Sequence, residues 1–288
     1  MGLDLHVHTT ASDGSETPAE VVRKAKHLGL SAIALTDHDS VGGLEEGLQA
    51  GKELGLEVVP GIELTSDTDE SEVHLLGYYI DHRHPRLRER LREVQAARVE
   101  RAKKMVDRLR EHGIDLQWEE VWKLVGPGHF IGRTHLFKAL ENAGLVAGQS
   151  KGEAFRSLLG REGLAYVPHY YLSTREAVRL IREAGGVPVL AHPGRLRVDA
   201  LIKELMAEGL RGVEVYYPAH TPAMVQHYLK LATELGLIVT GGTDYHGRHS
   251  QYRVRLGEYS APPEALEQLR AAAEEVRRGG APAFPNGK

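Results

Sequence analysis

Short apolar runs alternate with amphipathic stretches along most of the chain. Residues 31–36 (SAIALT) form a continuous apolar run, which is typical of a strand buried on both faces. The sequences TPAE at 17–20 and STRE at 173–176 have the capping-box pattern of a helix start. The pattern as a whole predicts strands over 2–7, 31–36, 57–64, 72–80, 187–191, 212–216 and 237–241.

Amphipathic stretches follow most of these strands and predict helices over about 18–28, 44–54, 174–184, 198–208, 221–235 and 262–278. Strands that alternate with helices imply a parallel sheet. Because six or seven such units occur without a glycine-rich phosphate loop, the pattern favours a β/α barrel over a doubly wound sheet.

The pattern changes after Pro85. A long charged segment with helical periodicity covers 86–112, and shorter helical stretches follow at about 117–125, 132–143 and 152–159. We therefore predict a helical insertion domain over 86–165, within a barrel domain formed by 1–85 and 166–288. The arginine-rich segment is interpreted as a solvated amphipathic helix; a guide for a short nucleic-acid strand is the alternative.

Composition narrows the possible functions. The 288 residues include no cysteine, which excludes disulfides, thiolate metal sites and a cysteine nucleophile. The net charge of −4 disfavours binding of long duplex nucleic acid, since extended phosphate contacts need many basic side chains. No apolar run approaches membrane-spanning length, and no signal peptide is recognisable, so we expect a cytoplasmic protein. The oligomeric state is left open.

Side chains of metal-binding type stand at the ends of nearly all the predicted strands. Barrel enzymes place their active sites at the carboxyl ends of the strands, so these side chains are expected to converge on one rim. In the sequence HVH at 6–8, both imidazoles point to the same face, because side chains alternate along a strand. The set comprises His6, His8, Asp13, Asp37, His38, Glu63, His74, His192, Glu214, Asp244 and His246.

This set predicts a metal centre. Mixed nitrogen and oxygen ligands suit Mn²⁺, Fe²⁺ or Zn²⁺ better than Ca²⁺, and so many candidates suffice for two or three ions. Each residue alone has an ordinary structural explanation: a lone His-x-His pair is more often incidental, and Asp13 in SDG fits a turn. Their joint occurrence at successive strand ends favours the metal site.

Several motifs together resemble those of the PHP (polymerase and histidinol phosphatase) family. They are HVH with SDG at 6–14, TDH at 36–38, GIE at 61–63, AHP at 191–193 and GTDYH at 242–246. The resemblance covers nearly the whole chain in the family's motif order. It implies a distorted (β/α)7 barrel that binds up to three divalent metals, Mn²⁺ first among them.

Carried over position by position, the resemblance makes nine residues the metal ligands: His6, His8, Asp13, His38, Glu63, His74, His192, Asp244 and His246. Asp13, His192 and Asp244 are also taken as catalytic candidates, acting with a metal-activated hydroxide. Asp37 is expected to orient a neighbouring histidine.

The sequence IGRTH at 131–135 resembles the branch of the family that hydrolyses nucleoside 3′,5′-bisphosphates, some members of which trim short 5′-phosphorylated RNA. The branch often has proline where this chain has Thr134. By this resemblance Arg133 and His135 hold a substrate phosphate, and Arg195 is a further candidate. Weaker candidates at the rim are His169, Tyr217, His220 and His249, whereas His27, His82, His84, His112, His129 and His227 are interpreted as ordinary surface residues.

The predicted function is hydrolysis of a phosphate monoester, most specifically the 3′-phosphate of a nucleoside 3′,5′-bisphosphate, with short 5′-phosphorylated RNA as a related substrate. Two alternatives stay open. One is a histidinol-phosphate phosphatase, against which the insertion and Arg133 argue. The other is a non-catalytic metal-binding or regulatory module, against which the intact ligand set argues.

Overall fold

The computed structural model describes residues 2–68, 71–126, 130–148, 150–168, 172–195, 199–249 and 254–279. Its strands form one seven-stranded sheet in chain order: β1 (Leu3–Val7), β2 (Ala32–Leu35), β3 (Glu57–Asp67), β4 (Glu72–Tyr78), β5 (Val187–Leu190), β6 (Gly212–Tyr216) and β7 (Ile238–Gly241). The helices are α1 (Pro18–His27), α2 (Leu44–Leu54), α3 (Pro85–Glu111), α4 (Trp118–Trp122), α5 (Arg133–Asn142), α6 (Lys151–Leu159), α7 (Thr174–Glu183), α8 (Asp199–Glu208), α9 (Pro222–Leu235) and α10 (Ala265–Arg277). In these ranges no helix is both long and apolar enough to cross a membrane.

The predicted all-parallel sheet is wrong at one strand. β4 runs antiparallel to both β3 and β5, while the other neighbouring pairs are parallel. Only residues 68–71 join β3 to β4, and a parallel crossover needs a dozen residues or more, so the two strands form a hairpin. The reversal brings the start of β4, with His74, to the rim that carries the ends of the parallel strands.

The sheet closes into a distorted barrel between its first and last strands. A parallel bridge joins Val7 to Tyr245, and the His8 amide donates to the Tyr245 carbonyl oxygen at 2.9 Å. The buried Asp4 carboxylate also joins the first strand to the segment after the last one. It accepts hydrogen bonds from the Thr243 amide at 3.0 Å and from the Thr243 hydroxyl at 2.6 Å. It also accepts from the Gly257 amide at 2.8 Å. The predicted β/α barrel is confirmed.

Both faces of the strands are buried. In β1 the side chains of Leu3 and Leu5 join the hydrophobic cluster that includes α10, whereas Val7 packs in the cluster formed with α1, α2 and α7. β2 divides its side chains between the same two clusters. This explains why its sequence is a continuous apolar run.

Helices α3 to α6 stand between β4 and β5 in the chain and have a hydrophobic cluster of their own, drawn from residues 99–167. The long helix α3 belongs to two cores: Leu87 and Leu91 pack in the barrel cluster, and Met105 and Leu109 in the helical one. The boundaries predicted for the insertion stay a prediction, but its first helix is shared with the barrel. The solvated-helix interpretation of α3 does not hold for Arg98, which is 6% exposed.

Candidate metal centre

Glu63, at the middle of β3, lies at the centre of the predicted ligands. Its Oε2 atom is 3.2 Å from Nε2 of His6, 3.2 Å from Nε2 of His8 and 3.0 Å from Nδ1 of His38. Its Oε1 atom is 2.8 Å from Nδ1 of His74 and 3.1 Å from Nε2 of His192. One fully buried carboxylate thus faces histidines from five places in the sequence.

The ligand-type atoms fall into overlapping groups in which all donors lie within 4.8 Å of one another. These are His6, His8, Glu63 and Asp244; His8, Asp13, His38 and His246; and His38, Glu63 and His74. His192 joins the last group through its contact with Glu63. All nine predicted ligands therefore converge, as the rim argument requires.

The environment of these atoms fits divalent cations. Several deeply buried nitrogen and oxygen atoms have no hydrogen-bond partner within the described residues: Nε2 of His6, Nε2 of His8, Oδ1 of Asp13, Nδ1 of His38, Oε2 of Glu63 and Nδ1 of His192. Buried polar atoms are rarely left unsatisfied in proteins, because the lost hydration is costly. A cation among them would supply the missing partner.

The electrostatics point the same way. Burial would raise the pKa values of the carboxyl groups of Asp13, Glu63 and Asp244, yet neighbouring histidines hold all of them well below the ordinary range. Burial lowers the pKa of His38 to about 3, so this imidazole is neutral and has a lone pair for a metal.

Two of the predicted ligands have unusual backbone conformations. His192 has φ of 31° and Asp244 has φ of 51°, in the left-handed region that non-glycine residues rarely adopt. Such conformations persist where the surrounding structure enforces them, and they concentrate at functional sites. His192 lies two residues after the end of β5 and Asp244 three residues after the end of β7, and both side chains face Glu63 or its histidine neighbours.

A layer of polar residues supports the ligands. Asp37 accepts from the Thr9 amide at 2.7 Å and from the Ser12 hydroxyl at 2.6 Å, so it anchors the loop that carries Asp13. We expected Asp37 to orient a histidine; its nearest link to one is through Ser12, whose hydroxyl is 3.5 Å from Nδ1 of His8. The Tyr217 hydroxyl donates to Oδ2 of Asp244 at 2.9 Å.

Glu214 is the supporting residue whose role the sequence did not reveal. It was included among the strand-end carboxylates but not among the ligands. In the structure it lies behind His6, with Oε1 2.9 Å from Nδ1, and accepts from the His192 amide at 2.8 Å. It lies at the middle of β6, and its place among the carboxylates and histidines of successive strands was the available signal.

The predicted phosphate-binding residues lie at the start of α5. Nη2 of Arg133 is 3.7 Å from Oε1 of Glu72, which is itself 3.3 Å from Nε2 of His74. His135 is largely buried, and its Nδ1 accepts from the Gly132 amide at 3.3 Å. The side chain of Arg195 lies outside the described part of the structure.

The other histidines of the described residues differ in how close they lie to the centre and in how exposed they are. Nε2 of His220 accepts from the Gly194 amide at 3.1 Å, close to the turn that follows His192. His27, His112 and His227 are exposed, and His82 and His84 are partly exposed. His129, His169 and the side chain of His249 lie outside the described residues.

A barrel that carries a cluster of histidines and carboxylates at one rim is typical of metal-dependent hydrolases. The PHP domain model matches residues 4–115. Together with relatives more than 30% identical over most of their length, this match shows that the chain belongs to the PHP family of metal-dependent phosphoesterases.

Three relatives differ in the substrates that their names give. A phosphoribosyl 1,2-cyclic phosphate 1,2-diphosphodiesterase from Eggerthella lenta is 35% identical over 247 residues, which are 85% of this chain and 94% of the relative. A 3′,5′-nucleoside bisphosphate phosphatase from Chromobacterium violaceum is 33% identical over 85% of this chain and 87% of its own. A 5′-3′ exoribonuclease from Haemophilus influenzae is 32% identical over 84% and 89%.

The fold is also that of solved structures. A putative metal-dependent phosphoesterase from Bifidobacterium adolescentis superposes with a TM-score of 0.87 at 33% identity, covering 94% of this chain and 96% of that one. The family predicted from the motifs is therefore confirmed, as are the enzyme class and the fold.

Proposed function

We propose that this protein hydrolyses the 3′-phosphate of nucleoside 3′,5′-bisphosphates, with short 5′-phosphorylated RNA as a related substrate. The observation that carries the proposal is the position of Arg133 beside the metal centre. The Glu72 carboxylate lies between the Arg133 guanidinium and the predicted ligand His74 and contacts both. An arginine suits a phosphate because its planar fork donates two parallel hydrogen bonds.

The nine converging residues would hold two or three divalent ions, with Mn²⁺ preferred and Fe²⁺ or Zn²⁺ as alternatives. Glu63 would be a central ligand, since its Oε2 faces His6 and His8 while its Oε1 faces His74 and His192. Asp13 and His246, whose atoms are 3.1 Å apart, would contribute to a further position with His38. Bound ions supply a water of lowered pKa and polarise the phosphoryl oxygens.

The residues of the chain have distinct roles in this proposal. Arg133 binds a phosphate and orients the ester over the centre. The Gly132 amide donates to Nδ1 of His135, so the neutral ring carries its proton on Nε2 and donates there to an anionic oxygen. Asp13, His192 and Asp244 lie among the ligands, where a proton can be passed to the leaving oxygen.

A second candidate substrate comes from the relative named as a cyclic phosphate diphosphodiesterase. A phosphoribosyl 1,2-cyclic phosphate also presents a phosphate ester on a ribose beside a second phosphate. The same arginine and the same centre would accommodate it.

Hydrolysis of four substrates tests the proposal: adenosine 3′,5′-bisphosphate and histidinol phosphate, followed by phosphate release, and a 5′-phosphorylated RNA trimer and phosphoribosyl 1,2-cyclic phosphate, followed by chromatography of the products. Asp244→Ala should abolish the activity, and the matched control Asp199→Ala, which removes an exposed carboxylate that contacts His227, should not. Preference for the bisphosphate supports the proposal. Hydrolysis of histidinol phosphate alone would overturn the substrate assignment, and inactivity on all four with ions bound would favour the non-catalytic module.

A further inference from the structure

Helix α3 passes from the barrel to the helical insertion, and Arg98 lies at the crossing. Residues before it, such as Leu91 and Val94, pack in the barrel cluster, and residues after it, such as Ala102 and Met105, pack in the helical cluster. Burial of an arginine is costly unless its guanidinium is fully engaged, so a buried arginine at this place requires an explanation.

Arg98 is engaged by the residue that follows the ligand His38. Its Nε and Nη2 atoms donate to Oδ2 of Asp39 at 2.9 and 2.5 Å, and Nη2 also donates to the Thr65 hydroxyl at 2.7 Å. The side-chain amide of Gln95, one turn earlier on α3, donates from Nε2 to the backbone carbonyl oxygen of Asp39 at 3.0 Å.

Asp39 is held on every side. It is fully buried, its φ of 43° lies in the left-handed region, and its Oδ1 accepts from the Thr65 amide at 2.9 Å. Its own amide donates to the carbonyl oxygen of Glu63 at 2.9 Å. The backbone beside His38 is thereby tied both to Glu63 and to the insertion helix.

A second contact reaches His38 through its ring. Phe130, which precedes α5, stacks on the His38 imidazole with ring centroids 5.4 Å apart and planes inclined by 21°. The guanidinium carbon of Arg98 is 4.6 Å from the centroid of the same phenyl ring. Arg98 therefore contacts both the residue after His38 and the ring that covers it.

We propose that Arg98, Asp39 and Phe130 form a latch that positions His38 for its ion, so that occupancy of that ion position depends on the docked insertion. The inference rests on the proposed metal centre. Arg98 and Phe130 are positioning residues, because they act through His38. The ring nitrogens of His38 lie near His8, Asp13 and His246, and also near Glu63 and His74. Loss of the latch should leave the ligands His6, Glu63 and Asp244 in place.

Two matched pairs of variants separate this role from general stability. Arg98→Met is compared with Arg101→Met, because Arg101 is equally buried on the same helix but donates to the Val167 carbonyl oxygen at 2.8 Å. Phe130→Leu is compared with Phe137→Leu, because Phe137 packs in the helical cluster against Phe155. His38→Ala defines the effect of losing the ligand itself.

The primary measurement is Mn²⁺ bound per chain after equilibrium dialysis, by elemental analysis, with urea unfolding of the ion-free variants as the check on folding. The His38→Ala variant should lose the ion that His38 binds. The Arg98→Met and Phe130→Leu variants should bind that ion roughly ten- to hundredfold more weakly than the wild-type protein does. Arg101→Met and Phe137→Leu should bind as wild type does. Equal ion content in all four variants, equal loss in all four, or unchanged content in His38→Ala would overturn the latch.

This readout does not depend on turnover. A wild-type protein that binds its ions but hydrolyses none of the four phosphate esters would refute the proposed function, and the ion content of the variants would still decide the latch. Conversely, an active enzyme whose Arg98→Met variant keeps all its ions would refute the latch alone.

Discussion

Oε1 of Glu214 lies 2.9 Å from Nδ1 of His6, and both side chains are fully buried. The other oxygen of Glu214 accepts from the backbone amide of His192 at 2.8 Å. One carboxylate on β6 therefore contacts two predicted ligands, His6 on β1 and His192 after β5. Because Nδ1 of His6 donates to Glu214, Nε2, which faces Glu63 and Asp244, is the ring nitrogen left for an ion.

Glu214→Gln should weaken metal binding by roughly ten- to hundredfold. Glutamine keeps the volume but has only one acceptor oxygen, so it cannot accept from both Nδ1 of His6 and the His192 amide. Titration calorimetry with Mn²⁺ measures the effect. Glu57→Gln is the control, since Glu57 accepts from the Tyr79 hydroxyl at the start of β3, away from the ligands. Equal affinities in the two variants would contradict this role.

Thr134 should support Asp13. Its hydroxyl donates to Oδ2 of Asp13 at 3.1 Å, while Oδ1 of Asp13 faces His246. Thr134→Val keeps the shape but removes the donor, and loss of about 1 kcal/mol predicts Mn²⁺ affinity about fivefold lower at the Asp13 position. Thr134→Ser keeps the hydroxyl and should bind as wild type does. A serine variant as weak as the valine variant would rule out the hydrogen bond as the cause.

Much of the site could be predicted because the predicted ligands lie on the strands or shortly after them. A strand ending such as HVH at 6–8 or TDH at 36–38 places polar side chains at the rim formed by the carboxyl ends of the parallel strands. This holds without knowledge of how the side chains pack. Chain order and strand polarity were then enough to predict that His6, Glu63 and Asp244 meet. The strand β4 was predicted, but its antiparallel direction was not, although the four-residue link at 68–71 is too short for a parallel crossover.

The contacts that cross between distant segments could not be predicted. Arg98 stands in a charged helix among many arginines, and nothing in the local pattern distinguishes it, or the buried Arg101, from the solvated arginines. The burial of Arg98 depends on Asp39, which is 59 residues away and adopts a left-handed backbone conformation. Glu214 is similar, because its partner His6 is 208 residues away. Such pairs follow from how the elements pack, and periodicity carries no information about them.

Metal binding should release protons and strengthen as pH rises. Burial alone would lower the pKa values of His74 and His246, but the carboxylates of Glu63 and Asp13 respectively raise them to about 10. In the ion-free protein both imidazoles hold a proton at pH 7 and must lose it to bind an ion, so at least two protons are released on full loading.

Burial would also lower the pKa of His6, but Glu214, Glu63 and Asp244 raise it well above its ordinary value, so His6 adds to this release. The affinity therefore rises with pH until it passes the raised values. Calorimetry in buffers of different ionisation enthalpy counts the protons, and pH-independent affinity between pH 6 and 8 would contradict the assignment.

Arg133 should select substrates that carry a second phosphate. Its guanidinium is separated from the ligand His74 by Glu72, so it is placed to bind the phosphate that does not react. Arg133→Met should lower kcat/KM for adenosine 3′,5′-bisphosphate by roughly ten- to hundredfold, the value of hydrogen bonds to a charged group.

The same variant should hardly change kcat/KM for adenosine 3′-monophosphate, which lacks the second phosphate. Lys138→Met is the matched control, because Lys138 is a cation on the same helix that lies 3.6 Å from Glu141. Steady-state kinetics with both substrates measures the difference. An equal loss on the two substrates would mean that Arg133 binds the reacting phosphate, and no loss on either would remove it from the substrate site.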